Sequence, residues 1–467
     1  MRFYRNKQYY SYFFKIVKVG GVFLLNFLNS VSGVIWGIPM LILFIFTSVR
    51  LTIHGRFFQF KNLNYIFKET LGKMFKHGKK SGISDFSVFC SVLGACIGTG
   101  NIVGVATAIY SGGPGTVFWM ILSAVFSMMT AYGENYLGII YKRKDRYGRL
   151  TGGAFSYIAN GLNMKTLAKV YAFLSLMSVI GMGNMAQSNS VADSLKNSFG
   201  VSPFVTGIII AVLCTIIVNG GFKLITKLQT VLVPIMTLLF FVLSVMVIIK
   251  FKENISACVI TILKEAFSLK SIRGFGIYKA AKFGISRGVF SNEAGLGSST
   301  IIHSQSDDSD GINQGLWAMV EVFADTVVMC SVTAIVLLVS TNYNENNLYG
   351  AELSAFSYSL IGEFGKKGIG LLTAIFAFSS LSSCCFYGEK SFEYAFNKKT
   401  LPVYKCLYVI FSFIGCTRSP ELIWSFADIC NGLMAIPNLF ALNVLIKEIE
   451  FPYNRKSKNT RVNTVKS

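Results

Sequence analysis

Residues 95–104 read "ACIGTGNIVG": three glycines, a threonine and an asparagine inside an apolar stretch. A glycine in a helix interior costs about 1 kcal/mol relative to alanine, and an unpartnered amide in lipid costs more. A continuous spanning helix has no use for this decapeptide. A second stretch, "GISRGVFSNEAGLGSS" at 284–299, repeats the pattern half a chain later, again with polar residues between glycines.

The surroundings define the solvent. The chain is 467 residues long, 52% hydrophobic and 14% charged, whereas soluble domains carry roughly 25% charged residues. Mean hydropathy is +0.53. Uncharged runs recur at Val31–Val49, Phe204–Val218, Val231–Ile249 and Thr326–Ser340. Repeated runs of this length indicate an all-α polytopic membrane protein, because only helices or closed barrels satisfy the backbone in lipid. These runs are too long and too uniformly apolar for barrel strands.

About eleven spans are expected, at 31–53, 84–110, 114–140, 167–190, 204–221, 224–249, 279–300, 313–340, 366–389, 402–417 and 420–446. Residues 9–30 read as an interfacial amphipathic helix and 255–267 as an apolar segment too short to span. The divisions are 1–83 (basic segment, first span, basic loop), 84–249 (five helices), 250–278 (connection), 279–446 (five helices) and 447–467 (basic tail).

The net charge of +22 does not indicate nucleic acid, because the basic residues lie between apolar runs. They gather at 54–82, 141–166, 390–401 and the C-terminal tail. That side is expected in the cytoplasm of a cell membrane, with the C-terminus inside. Lys282 and its neighbours in 250–282, and the basic N-terminus, run against this bias. No cleavage signature of a signal peptide is read at the N-terminus. The ten cysteines are scattered, without CxxC, and are expected to pack as small hydrophobes.

With the first span set aside, the two glycine-interrupted helices each open a group of five. Paired broken helices in corresponding positions indicate an inverted-repeat secondary transporter. Unwinding frees N–H and C=O groups, which become ligands around a site. Glycines at helix–helix contacts offer a plain packing alternative; the polar residues in both breaks and the repeat symmetry favour the site.

Several stretches carry a resemblance: "GTGNIVGVATAIYSGGPGTVFWM" (98–120), "GMGNMAQSNSVADSL" (181–195), "RGVFSNEAGLGSS" (287–299), "FADTVVMCSVTAIVLL" (323–338), "FYGEKSFEYAF" (386–396) and "GLMAIPNLFAL" (432–442). In these the chain resembles the sodium:alanine (alanine or glycine:cation) symporters. The resemblance implies a LeuT-like core of five plus five inverted helices, with discontinuous helices near 94–104 and 288–299. It also implies Na⁺ as coupling ion and inward transport of a small neutral amino acid, with no organic cofactor.

On that basis Thr99, Gly100 and Asn101 would meet the substrate carboxylate, with Gly98 letting the chain leave helical geometry. Fold analogy places Na⁺ between the carbonyls of Gly94 and Ile97 and the hydroxyls of Ser379 and Ser380, hard oxygen donors of the kind such cations need. The serines have an alternative in bonding i−4 carbonyls or another helix. Ser291 and Asn292 would line the opposite wall. Glu293 orients the unwound chain, stabilises the substrate ammonium at a distance, or caps neighbouring N–H groups, and Gly295 belongs to the same break. Gln187 is a substrate contact by resemblance, while Asn184 and Asn189 join helices. Glu134, Asp325 and Asp428 are expected to bond to backbone or hydroxyls, not to act as ligands.

The family's "GWSYYGE" stands here as "SCCFYGE" (383–389), so Cys384 replaces a tryptophan of the cavity wall. A larger neutral amino acid than alanine is then open. Proton coupling through Glu293 is the runner-up, and an amino-acid sensor on the same fold is a further alternative. An enzyme is not expected: three histidines are present, and "GISRG" (284–288) lacks the strand–turn–helix context of a nucleophile.

Overall fold

The computed structural model describes residues 24–74, 84–144, 150–269, 276–306, 310–340, 348–396 and 398–453. The expected interfacial segment before residue 24, residues 75–83 of the first basic loop, and the tail beyond 453 lie outside the described residues.

Seven helices are long and apolar enough to cross a membrane: Gly115–Ile140, Lys165–Phe199, Pro203–Lys250, Gly311–Ser340, Glu363–Ala395, Lys398–Thr417 and Pro420–Glu448. An eighth span is a pair, Leu24–Ile35 and Ile38–His54, bent by 40°. Pro39 starts its second limb, where a missing N–H costs nothing. Residues 24–30, expected at the interface, are therefore part of the first span.

Pro203–Lys250 has 48 residues, about 72 Å of helix, more than twice the roughly 30 Å hydrocarbon core. Gly221, with φ 65° and ψ −171°, interrupts it. The two limbs match the separate spans expected at 204–221 and 224–249. Along both limbs, Ile209, Val212, Ile216, Val231, Leu238 and Val245 stay exposed, the mark of a lipid-facing stripe.

The remaining two spans are broken. The first runs Asp85–Cys96 and Val103–Gly112, with a short 3-10 turn at Thr99–Asn101 between them. The second runs Gly276–Asn292 and Thr300–His303. Helix Gly115–Ile140 packs against Gly276–Asn292 and Gly311–Val322, and Glu363–Ala395 packs against Asp85–Cys96, so both breaks are enclosed. Ile255–Ala266 lies across the end of Gly115–Ile140, where Trp119 Nε1 donates to the Ala266 carbonyl at 2.9 Å. A two-residue hairpin pairs Arg143 with Thr151. All ten cysteines are free thiols, nine of them buried.

Candidate functional site

The first break begins where the hydrogen-bond ladder is rerouted. In an uninterrupted helix the N–H of Gly98 would donate to Gly94 and that of Thr99 to Ala95. Instead Gly98 N–H turns back to the Cys96 carbonyl at 2.8 Å. Thr99 gives both its N–H, at 3.0 Å, and its hydroxyl, at 2.9 Å, to Gln187 Oε1. Two carbonyls are thereby released, and two hydroxyls meet them. Ser379 Oγ donates to Gly94 O at 3.1 Å, and Ser380 Oγ to Ala95 O at 2.7 Å. Gln229 holds the serines in place. Its Nε2 donates to the Ser379 carbonyl at 2.8 Å and to Ser382 Oγ at 2.7 Å, and its Oε1 accepts from Ser379 Oγ at 2.6 Å. All these groups are buried and neutral.

Glycine serves close approach here. A Cβ on Gly98 would stand 2.9 Å from Gln187 Oε1 and 3.0 Å from Ser380 Cβ. No residue from 94 to 104 has positive φ.

The second break is built otherwise. Glu293, Gly295 and Gly297 have φ of 55°, 96° and 75°. A non-glycine residue there is strained, and Glu293 is held by its carboxylate, which accepts from Ser298 Oγ. Glu134, from helix Gly115–Ile140, accepts the Gly295 N–H at 3.0 Å and Asn438 Nδ2 at 2.5 Å. Asn438 Nδ2 also reaches the Gly295 carbonyl at 2.9 Å, and Tyr171 OH donates to Leu296 O at 2.8 Å. Buried side chains thus take the place of the helical ladder, as an unwound chain inside a bilayer requires.

The breaks meet at helix Gly311–Ser340, across its π-helical stretch Phe323–Cys330. Asn101 Nδ2 donates to Asp325 Oδ1 at 2.7 Å, and Ser291 Oγ donates to Asp325 Oδ2 at 2.7 Å. Asn292 Nδ2 donates to Thr326 Oγ1 at 3.0 Å.

Both ends of this enclosure are tied. On the side away from the basic loops, Arg287 forms a bidentate pair with Asp428, at 2.7 and 2.8 Å, under Trp424. It borders a cavity of about 280 Å³ that also takes in Asn29, Trp36, Lys282 and Glu421. Trp36 Nε1 donates to the Asp428 carbonyl at 2.9 Å, joining the first span to the mouth. On the basic side, Asp85 accepts from Ser306 Oγ at 2.7 Å and Gln314 Nε2 at 2.8 Å. His303 lies between Gln314 and Glu321.

Against known proteins, the model of the sodium:alanine symporter family matches residues 22–465. The chain belongs to the sodium:alanine symporter family. Its sequence is 37% identical over 428 residues to the sodium/alanine symporter AgcS of Methanococcus maripaludis, covering 90% of this chain and 94% of that one. It is 31% identical over 420 residues to the probable sodium/glutamine symporter GlnT of Bacillus subtilis, covering 90% and 87%. In structure it is similar to MhsT, solved in complex with L-phenylalanine: TM-score 0.60, 14% identity, 79% of this chain and 90% of that one. That likeness establishes the LeuT-like fold. The chain is an integral membrane protein and a cation-coupled amino-acid symporter, not a member of an enzyme family.

Within this symporter the two breaks lie face to face: the Cβ direction of Gly100 points at Ser291 Cα, 3.3 Å away. Gly94, Ser379 and Ser380 come together. Neither serine hydroxyl is bonded to Ile97; Ser380 meets the carbonyl of Ala95, two residues earlier, and the chain leaves the helix at Ile97. Gln187 is bonded to the first break itself, through Thr99. Asn101, Ser291 and Asn292 converge on Asp325 and Thr326. Cys384 is buried against the helix that carries Gln187: a Cβ on Gly183 would stand 2.6 Å from Cys384 Cβ. Asn184 and Asn189 join helices, through the carbonyls of Tyr408 and Gly415.

One expectation is corrected. Asp428 bonds to a cation, Arg287, rather than to backbone or hydroxyls. Gln229, Ala95 and Asn438 were not anticipated. Arg287 could have been: an arginine inside an apolar helix must find an acid, and few acids are available in such helices.

Proposed function

We propose that this symporter couples Na⁺ entry to uptake of a small neutral amino acid, by alternating access, in the cell membrane with its C-terminus in the cytoplasm. The observation that supports it most is the pair of released carbonyls, Gly94 and Ala95, facing the hydroxyls of Ser379 and Ser380. Four neutral hard oxygens converge from two helices. Neutral carbonyl and hydroxyl oxygens suit an alkali cation rather than a transition metal. Na⁺ entering there replaces the hydroxyl hydrogens as the partner of the carbonyls and fixes the first break against helix Glu363–Ala395.

The substrate carboxylate then meets the N–H groups of Gly100 and Asn101, where the dipole of Val103–Gly112 favours negative charge. The side chain extends toward Cys384. A thiol there leaves room for residues larger than alanine; the likeness to a glutamine symporter supports the same breadth. Opening outward separates Arg287 from Asp428, and opening inward separates Asp85 from Ser306 and Gln314.

The test is uptake of labelled alanine into proteoliposomes under an imposed Na⁺ gradient, with neutral amino acids including glutamine as competitors. Uptake driven by a pH gradient and indifferent to Na⁺ would replace sodium with the proton. Binding without net flux would make the protein a sensor.

A further inference from the structure

Arg287 and Arg50 both lie inside spans, and their surroundings differ. The guanidinium fork of Arg287 is filled by Asp428. Arg50, one turn before the first span ends at His54, forms no ion pair with Asp or Glu among the described residues. Its Nη1 donates to the Asn443 carbonyl at 2.9 Å and to Asn443 Oδ1 at 3.1 Å. Asn443 is itself fixed, because its Nδ2 donates to Thr47 Oγ1 at 2.7 Å and to the Leu439 carbonyl at 2.9 Å. The guanidinium is thereby held sideways, in the seam between the first span and helix Pro420–Leu445. An arginine near a helix end ordinarily extends to water instead.

Its Nε–Nη2 edge is left over. That edge has no hydrogen-bond partner among the described residues, and the side chain is half-buried. Two nitrogens in a planar fork match two oxygens of a phosphate. The edge borders lipid: Arg50 Cζ lies 5.9 Å from the ring centre of Phe46, which is exposed. Each helix of the seam carries an exposed apolar stripe, with Ile42, Phe46 and Ile53 on one and Ile436, Phe440 and Val444 on the other. Helical spacing puts Arg50 and Asn443 beside these stripes. A second cation stands at the same end. The Arg56 guanidinium lies 5.4 Å from the centre of the Tyr453 ring, and Tyr453 OH reaches the His54 carbonyl at 3.4 Å.

We propose that Arg50 binds the phosphate of an anionic phospholipid from the leaflet on the basic side, with the acyl chains along the two stripes. Basic pockets between spanning helices on that side suit anionic headgroups. Arg56 adds to the preference, because it repels a headgroup that carries its own ammonium. The lipid bridges the first span and the last helix at the end opposite the Trp36–Asp428 bond, so this helix pair is tied at both ends. The site takes part in neither amino-acid nor ion binding, and it does not depend on which ion is coupled.

The experiment is native mass spectrometry of the purified full-length symporter in detergent, titrated with dioleoylphosphatidylglycerol, dioleoylphosphatidylcholine or glycerol 3-phosphate. Wild type is expected to hold about one phosphatidylglycerol per chain, about tenfold more tightly than phosphatidylcholine, and to leave glycerol 3-phosphate unbound. Arg50→Gln should weaken phosphatidylglycerol binding about tenfold or more. Should Arg50→Gln fail to fold, Arg50→Lys, which keeps the charge without the fork, is expected to weaken it about three- to tenfold. Lys68→Gln, at an exposed position of the basic loop, alters only the diffuse field and should leave binding unchanged. Either Arg50 variant binding as tightly as wild type, or Lys68→Gln weakening binding equally, overturns the site. Equal binding of phosphatidylcholine overturns the anionic preference, and glycerol 3-phosphate binding as tightly as the lipid overturns the membrane as its source.

Discussion

The two breaks solve one problem by opposite means. At 97–102 the backbone departs from the helix with negative φ throughout, and its glycine at 98 is there because Gln187 and Ser380 press against it. At 293–299 the chain takes three positive φ values and is held by the carboxylates of Glu134 and Glu293. Hydroxyls and amides meet the released carbonyls of the first; carboxyl groups that hold N–H groups and hydroxyls surround the second. The proposed cycle asks the first to exchange partners and the second to keep them.

Substitutions can break this contrast. The largest effect is expected from Gly297→Val. At φ 75°, with a Cβ 2.7 Å from Ala154 Cβ and 2.8 Å from Asn438 Oδ1, strain and overpacking cost about 1–3 kcal/mol each. Folded protein after extraction, followed by size-exclusion chromatography, should largely disappear; a wild-type yield would show that the second break is not rigid.

Next comes Gly98→Ala. The added carbon meets the ends of Gln187 and Ser380, so the protein should fold with a nearly unchanged thermal midpoint but lose uptake by about tenfold or more. A parallel fall in midpoint and uptake would erase the difference between the breaks.

Ser380→Ala removes one hydroxyl from the released carbonyls. The Na⁺ concentration for half-maximal uptake should rise about three- to tenfold, the worth of one hydrogen-bond-sized interaction. An unchanged value would take the ion away from this pair.

The smallest effect concerns the wall. Cys384→Trp should narrow the range of amino acids that compete with alanine, with little change in alanine uptake itself. Gly183 lies against Cys384, so an indole there must turn away from the helix that carries Gly183. An identical competition profile would separate position 384 from specificity.

The breaks were legible in the sequence because glycine and polar residues inside apolar runs violate a strong rule of helices in lipid. So were Ser379 and Ser380 opposite Gly94, through the fold that the quoted motifs resemble. The bond from Ser380 to Ala95 was not, since the point where a helix stops being a helix is set by tertiary bonds such as Thr99 to Gln187. Gln229 was hidden for a related reason: one amide in a long apolar limb carries no periodic signal. Glu134, Gly295 and Asn438 are brought together from helices far apart in sequence, and only packing reveals that they share one network. Arg287 and Asp428 stand 141 positions apart, and local pattern does not link them.

The hydrogen bond from Trp36 to Asp428 has a consequence for any attempt to reduce the protein to its ten-helix repeat. The first span supplies Asn29, Ser32, Gly33 and Trp36 to the mouth of the cavity. With that span removed, the Arg287–Asp428 pair would face hydrocarbon, and the mouth would open sideways into the bilayer. The helix outside the symmetry is thus part of the wall of the symmetric core's mouth.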